Sequence, residues 1–95
     1  PFSHLFRVLT YSTVANRALT HLTQCYQAIT DALPTAIVSE PSPAPLEKQN
    51  NYYRFHCIIR VPDDTLADCH TCLHQLPTVP KSVRRHIDRE PVTLV

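Results

Sequence analysis

The spacing of hydrophobic residues divides the first third of the chain into a strand and a helix. The segment His4–Tyr11 mixes β-branched, aromatic and long apolar residues, which is typical of a strand. Apolar residues then recur at intervals of three and four, which predicts an amphipathic helix that Pro34 ends. Ser12 and Thr13 precede this helix and supply hydroxyls suited to capping it. Its apolar face consists of Val14, Ala18, Leu22, Cys25, Ile29, Ala32 and Leu33.

The middle of the chain alternates between strand and loop signals. Residues Thr35–Val38 are a brief strand candidate, and Tyr52–Val61 is the clearest strand of the chain. Its odd-numbered residues predict a core face, whereas the even-numbered ones predict a largely basic face toward solvent or a partner. Between these strands, three prolines spaced by two within Ser39–Asn51 predict an extended, polyproline-like loop. A loop of this length in a small domain tends to be functional or mobile.

A second helix and a last strand complete the pattern. Pro62, Asp63 and Asp64 mark a helix start, because acidic side chains suit the positive end of a helix dipole. The helix is predicted to run to about Leu76, with an apolar stripe of Leu66, Cys69, Cys72, Leu73 and Leu76. A short strand follows at Ser82–Asp88. The order β-α-β-β-α-β predicts an α+β fold, a two-layer sandwich with two helices on one face of a mainly antiparallel sheet.

Composition excludes several ways of binding nucleotides and metals. The chain has 95 residues, enough for a single domain over residues 1–95, with nine prolines and no glycine. Glycine-rich phosphate loops, dinucleotide-binding turns and helix-loop-helix calcium loops all need glycine. The formal net charge of +1 indicates no particular partner. No apolar run approaches the ~20 residues that cross a bilayer and no leader opens the chain, so we expect a soluble, unexported protein.

The four cysteines are predicted to be reduced packing residues. Cys69 and Cys72 form a C-x-x-C within CHTCLH, which is the spacing of half a structural zinc site. Both lie on the apolar stripe of the second helix, however, while His70 and His74 lie about 100° or more around its axis. One helix cannot close a tetrahedral site with both pairs, so buried thiols are favoured over zinc. A small metalloprotein remains a minor alternative, which metal analysis of chelator-free protein would test.

The sequence carries no signal for catalysis. His56 and Cys57 are neighbours on a strand and therefore face opposite sides, so they cannot act as a nucleophile and its base. The carboxylates are scattered along the chain. We expect no enzymatic activity and no catalytic residue in this chain.

Basic and aromatic residues indicate a nucleic-acid interface. Phosphates need cations, and aromatic rings stack on bases. By pattern alone this signal is weak, because a solvated charged face explains the same residues. The candidate DNA-binding residues are Lys48, Tyr52, Arg54, Arg60, Lys81, Arg84 and Arg85.

Three segments, taken in order, resemble a known family. These are PFSHL at the start, SEPSPAPLEKQNNYYRF at residues 39–55 and VRRHIDREPVTLV at residues 83–95. They are similar to the C-terminal domain of the bacterial replication-restart helicase, primosomal protein N-prime (PriA). No single segment is long, so the specificity lies in their order.

The resemblance implies a fold like that of ribosomal protein S10 and a larger parent protein. In that family the parent is an ATP-dependent DNA helicase with a zinc-binding insert, and this domain helps to bind branched DNA and the acidic tail of single-strand-binding protein. The helicase and zinc residues are not among these 95 positions, so ATP, magnesium and zinc are expected only for the parent and no cofactor for this chain. The implied location is the bacterial cytoplasm, in association with the nucleoid.

Several positions depart from the family pattern. Glu40 and Asn51 stand where the family has glycine, and Arg85 stands where tryptophan is usual. Asparagine tolerates positive φ, but glutamate does so poorly. Asp64 and Asp68 occupy the place of an arginine and a glutamine that recognise the single-strand-binding tail, and carboxylates there would repel an acidic peptide.

Two functions follow from the sequence and its resemblance. The first is a non-catalytic DNA-binding domain of a replication-restart helicase, which binds forked or branched DNA, or its single strands, mainly through phosphates and without base-edge readout. The alternative is a protein-docking module of the same parent, in which Arg54 and Arg60 or the acidic helix start contact single-strand-binding protein or other primosome proteins. Salt dependence separates the two, because phosphate neutralisation is strongly weakened by salt.

Overall fold

Residues 4–90 of the chain form five strands and two α-helices. A computed structural model describes residues 4–90. The ends of the family resemblance, residues 1–3 and 91–95, lie outside the described residues. The elements are β1 (His4–Ser12), α1 (Ala15–Ala32), β2 (Ile37–Val38), β3 (Ser42–Gln49), β4 (Tyr52–Val61), a 3-10 turn (Asp63–Thr65), α2 (Leu66–His74) and β5 (Arg84–Arg89).

All strand pairings in the sheet are antiparallel. β1 lies between β4 and β5, and both β2 and β3 pair with the outer edge of β4. This arrangement confirms the predicted α+β two-layer fold, with one more strand than the sequence indicated. The more specific likeness to ribosomal protein S10 stays a prediction.

Both helices cover the same face of the sheet, where the core lies. The odd-numbered residues of β4, from Phe55 to Val61, are buried against the helices, as the alternation predicts. All five residues of the predicted α2 stripe are buried or half-buried. The core also contains Phe6, Val8, Ala18, Leu22, Cys25, Ile29 and Leu33. No helix within residues 4–90 has the length and apolar character needed to span a membrane.

The start of α1 differs from the predicted capping. Val14 occupies the N-cap position, is 45% exposed and makes no side-chain cap bond. Ser12 acts one step earlier: its Oγ accepts the Val14 N–H at 3.1 Å and donates to the Ser82 carbonyl at 2.8 Å. This hydroxyl therefore joins β1, α1 and the segment before β5. The predicted apolar face of α1 is also shifted, since Ala32 is exposed while His21 is buried.

The segment predicted as a Pro-rich loop is mostly an edge strand. Residues Ser42–Gln49 form β3 and pair with β4, with a register shift between Pro43 and Lys48. The extended conformation was predicted correctly, but the pairing was not, because proline lacks the N–H that a ladder uses. Proline is tolerated on an edge strand and at bulges. Within the bulge Leu46 has φ of 58°, an unfavourable value for a residue with a Cβ.

A tight two-residue turn connects β3 to β4. Gln49 pairs with Tyr52, and the intervening Asn50 and Asn51 have φ of 52° and 68°. Two consecutive positive values are what the favoured hairpin turns require, and asparagine is among the residues that adopt them. Asn51 therefore adopts the positive φ that is expected where the resemblance implies a glycine. Glu40 is not among the described residues with positive φ, so its position does not require the backbone conformation that favours glycine.

Candidate nucleic-acid interface

The face of the sheet opposite the helices contains a groove of about 460 Å³. Strand register explains how it forms, because residues directly opposite each other in a pair project to the same side. Tyr11 of β1 lies between Arg54 of β4 and Arg84 of β5. Two residues earlier, Leu9 lies between His56 and His86 on the same two strands. The groove is lined by Arg7, Leu9, Tyr11, Gln49, Asn50, Tyr52, Arg54, His86 and Asp88.

Two tyrosines line one end of the groove, and Arg84 lies beside one of them. The rings of Tyr11 and Tyr52 meet edge to face, with centroids 5.5 Å apart and planes at 83°. The guanidinium carbon of Arg84 lies 5.5 Å from the centroid of the Tyr52 ring, in a cation–π arrangement. Both tyrosines are half-buried and Arg84 is exposed. An accessible cation is thus held beside aromatic surface at the mouth of the groove.

A network of charged side chains lies in the rest of the groove. Arg7, only 4% exposed, donates from Nη2 to an Asp88 oxygen at 3.0 Å, and His86 Nε2 lies 2.7 Å from the other Asp88 oxygen. A carboxylate at a phosphate-binding surface would be repulsive if it stood alone. Here Arg7 neutralises Asp88, so that the groove retains the positive charge of Arg54.

Arg54 is buried and has a structural role. Its Nη1 donates to the carbonyls of Pro45 at 2.7 Å and Leu46 at 3.3 Å, which attaches the β3 bulge to β4. The sequence predicted that the even-numbered face of β4 would meet solvent or a partner. That prediction is wrong for Arg54 and His56, which are 8% and 9% exposed. Arg7, Arg54 and His56 are therefore buried even though they face away from the helices.

Burial between cations keeps His56 neutral. Burial, Arg7 and Arg54 all lower the pKa of His56 below its ordinary value. Its Nδ1 is among the buried side-chain atoms of the described residues that make no hydrogen bond. A neutral imidazole contributes no charge to the surface, so the positive charge of this face comes from its arginines.

The structure brings only part of the predicted set together. Tyr52, Arg54 and Arg84 lie at the groove, whereas exposed Arg60 pairs in register with Leu5, six residues or about 20 Å along β4 from Arg54. Lys81 is exposed just before β5. Arg60 and Lys81 are therefore both accessible, although neither lines the groove.

Lys48 and Arg85 lie on the side of the helices. Lys48 Nζ is 5.0 Å from the ring centroid of Tyr53, a residue on the core-facing side of β4. Arg85 is half-buried, and its Nη1 donates to the Pro77 carbonyl at 2.7 Å and to His21 Nε2 at 3.1 Å. Arg85 thus ties the segment after α2 to α1, and it does not line the groove beside Arg84.

Sequence reasoning missed the groove residues of β1 and β5. Arg7, Leu9 and Tyr11 alternate with the core residues Phe6 and Val8, and this alternation was available in the sequence. His86 and Asp88 belong to the same face of β5, as shown by their pairing with Leu9 and Arg7. The missing information was the register that places these residues beside Tyr52 and Arg54.

The four cysteines are buried free thiols, as predicted. Burial raises the pKa of Cys57 to about 12 and that of Cys69 to about 11, and it also raises the pKa of Cys25 and Cys72. High pKa values are typical of inert structural thiols. Among residues 4–90, no group of three or more His, Cys, Asp or Glu side chains is arranged to hold a metal ion.

Asp64 and Asp68 are exposed at the start of α2, on the helix layer and away from the groove. Asp64 accepts a bond from the Thr65 hydroxyl at 3.1 Å. Together with exposed Asp63, they leave this end of α2 acidic. Any acidic partner would meet repulsion here.

The fold and site define a small two-layer α+β domain that presents a polar, aromatic groove on its open sheet face. The chain belongs to the family of primosomal protein N C-terminal domains, whose model matches residues 1–93. This match confirms the resemblance found in the sequence and assigns the chain to DNA replication and the primosome. No curated protein matches the chain.

Proposed function

We propose that this chain is a non-catalytic DNA-binding domain of a replication-restart helicase, which binds forked or branched DNA mainly through phosphates. The observation that carries the proposal is the position of Arg84, an exposed cation held over the ring of Tyr52, which lines the groove. Arg60 and Lys81 add accessible cations elsewhere on the surface. Family membership supports the setting of the proposal, which is the bacterial cytoplasm and its nucleoid.

The charge distribution supports phosphate contacts better than a single deep site. Accessible cations are spread over the open face and its margins, and only Asp88 faces the groove with a negative charge. Phosphate contacts position a protein on DNA without reading sequence. A restart factor acts on forks of any sequence, so such contacts suit its task.

Fluorescence anisotropy with forked, duplex and single-stranded DNA tests the proposal. Neutralisation of about three phosphates should lower affinity by an order of magnitude or more between ~50 and ~200 mM salt. Arg84→Ala should weaken binding severalfold and reduce the salt slope by about one contact. Absence of binding to every DNA at ~50 mM salt would contradict the proposal.

The matched control is Arg89→Ala, which removes one charge from the opposite face of β5. Arg89 is exposed and lies over Phe6, with its guanidinium carbon 5.7 Å from the ring centroid. The Arg89→Ala variant should bind DNA with an affinity within about twofold of that of the unsubstituted domain. Arg54→Ala is a poor probe of contact, because loss of Arg54 would also release the β3 bulge.

A second function, protein docking, is favoured by one observation. Leu46 is 58% exposed, and the bulge that carries it is fixed to β4 by Arg54. A rigidly presented apolar side chain suits a partner protein of the primosome. Partner binding that survives high salt and is lost in Leu46→Ala, together with an absence of DNA binding, would favour this function over the first.

A further inference from the structure

The groove contains hydrogen-bond acceptors as well as donors, and a bound phosphate would not need the acceptors. Gln49 and Asn50 line it and have side-chain amides that carry both a donor and an acceptor, beside the Asp88 carboxylate that Arg7 and His86 already contact. A phosphate group offers acceptor oxygens and is best met by donors alone. The edge of a nucleobase presents donors and acceptors together. The chemistry of the groove therefore fits a base better than the backbone phosphate beside it.

The walls of the groove also fit a base. Tyr11 and Tyr52 provide half-buried aromatic surface, and the Arg84 guanidinium lies over Tyr52. Bases stack on aromatic rings and on arginine planes, and this stacking tolerates any sequence. Leu9 lies between the charged groups of the groove but is only 5% exposed, so the accessible apolar surface comes from the two tyrosine rings. Such surface favours a flat, partly apolar ring and gains nothing from a phosphate.

The size and position of the groove restrict which base can enter. Its volume of about 460 Å³ falls within the range of sites that enclose a small organic ligand. A paired base is held inside the duplex stack and cannot enter such a site without leaving the helix. Forked DNA supplies bases that are already unpaired, at its junction and along its single-stranded arms.

We propose that the groove binds one unpaired nucleotide, with its base against Tyr52 and its edge at Asn50, and with the adjoining phosphate at Arg84. This inference rests on the proposed DNA-binding function and adds a specific ligand to it. Phosphate contacts then hold the domain on DNA of any kind, while the groove favours DNA that has an unpaired base.

A wild-type experiment tests the inference without any risk to folding. Binding of a short single strand is compared with that of the same strand carrying consecutive abasic residues, which keeps every phosphate and removes the bases. The intact strand should bind about 5- to 100-fold more tightly, as expected when stacking on one base is lost. Equal affinity of the two strands would overturn the inference.

Tyrosine variants test whether the preference for the intact strand arises at the groove. Tyr52→Leu should remove the difference in affinity between the intact and the abasic strand, whereas Tyr52→Phe should keep that difference within about twofold of the value for the unsubstituted domain. Tyr26→Leu, a change on α1, is the matched control and should have no effect.

The outcomes separate the inference from the proposed function. If Tyr52→Leu leaves the preference for the intact strand in place, the groove is not the base site. If intact, abasic and duplex DNA all bind alike and Arg84→Ala weakens each of them, the phosphate function stands and the inference fails. If no DNA binds at ~50 mM salt, both fail.

Discussion

Arg84 and Arg85 are neighbours in sequence, yet they have different surroundings. Strand alternation sends Arg84 to the open face and Arg85 to the side of α1. Alternation alone requires that they face opposite sides, but two identical residues do not reveal which side is buried. Burial is decided by the acceptors that Arg85 meets in the folded chain, the Pro77 carbonyl and His21.

Arg85→Ala should therefore affect stability more than DNA binding. It leaves the Pro77 carbonyl and His21 Nε2 without their donor, and the loss of a charged hydrogen bond costs about 1.5–3 kcal/mol. Urea denaturation followed by circular dichroism measures the change. Arg84→Ala is the control and should alter stability by less than about 0.5 kcal/mol. Equal effects of the two substitutions on stability would contradict the assignment of faces.

At the scale of elements, β1, β4 and both helices were predictable, whereas β3 was not. Alternation and three- to four-residue spacing are local signals, and they placed Tyr52–Val61 correctly to the residue. β3 has no such signal, because its prolines and polar residues read as a loop and its pairing depends on β4. The groove was equally hidden, since it requires the register of three strands and the turn at Asn50.

The bulge in β3 stores strain at Leu46, which a substitution should relieve. A residue with a Cβ pays roughly 1–2 kcal/mol in the left-handed region, and asparagine adopts it more readily. Leu46→Asn should therefore raise the free energy of unfolding by about 0.5–1 kcal/mol, because the exposed side chain loses little burial. Thermal and urea unfolding provide the measurement. Leu46→Ala, which lacks the short polar side chain that helps asparagine adopt the left-handed region, should give no gain, and a gain as large as that of asparagine would argue against backbone strain.

For the whole molecule, two buried histidines link stability to pH. Burial and Arg85 lower the pKa of His21, while burial, Arg7 and Arg54 lower that of His56. The unfolded chain then binds more protons than the folded one below the ordinary histidine pKa of about 6.5. The stability due to neutral His21 and His56 is complete above this pH and is lost as pH falls through it.

Denaturation at pH 7.5 and pH 5.5 measures this contribution. The free energy of unfolding should fall less between pH 7.5 and pH 5.5 in His56→Gln than in the unsubstituted domain. This comparison does not depend on the absolute stability of the variant. His74→Gln, the same substitution at an exposed histidine, is the control for the change of side chain. An unchanged difference in His56→Gln would show that His56 is not protonated on unfolding in this range.

The prolines of β3 have a consequence beyond this one chain. An exposed sheet edge is a template on which another chain can add a strand. Pro43 and Pro45 offer no N–H for such pairing, and Arg84 and Arg89 place like charges along the opposite edge, β5. Neither β3 nor β5 therefore favours the addition of a strand from another chain. Copies of the domain at high local concentration are therefore expected to stay separate, without pairing between their sheet edges.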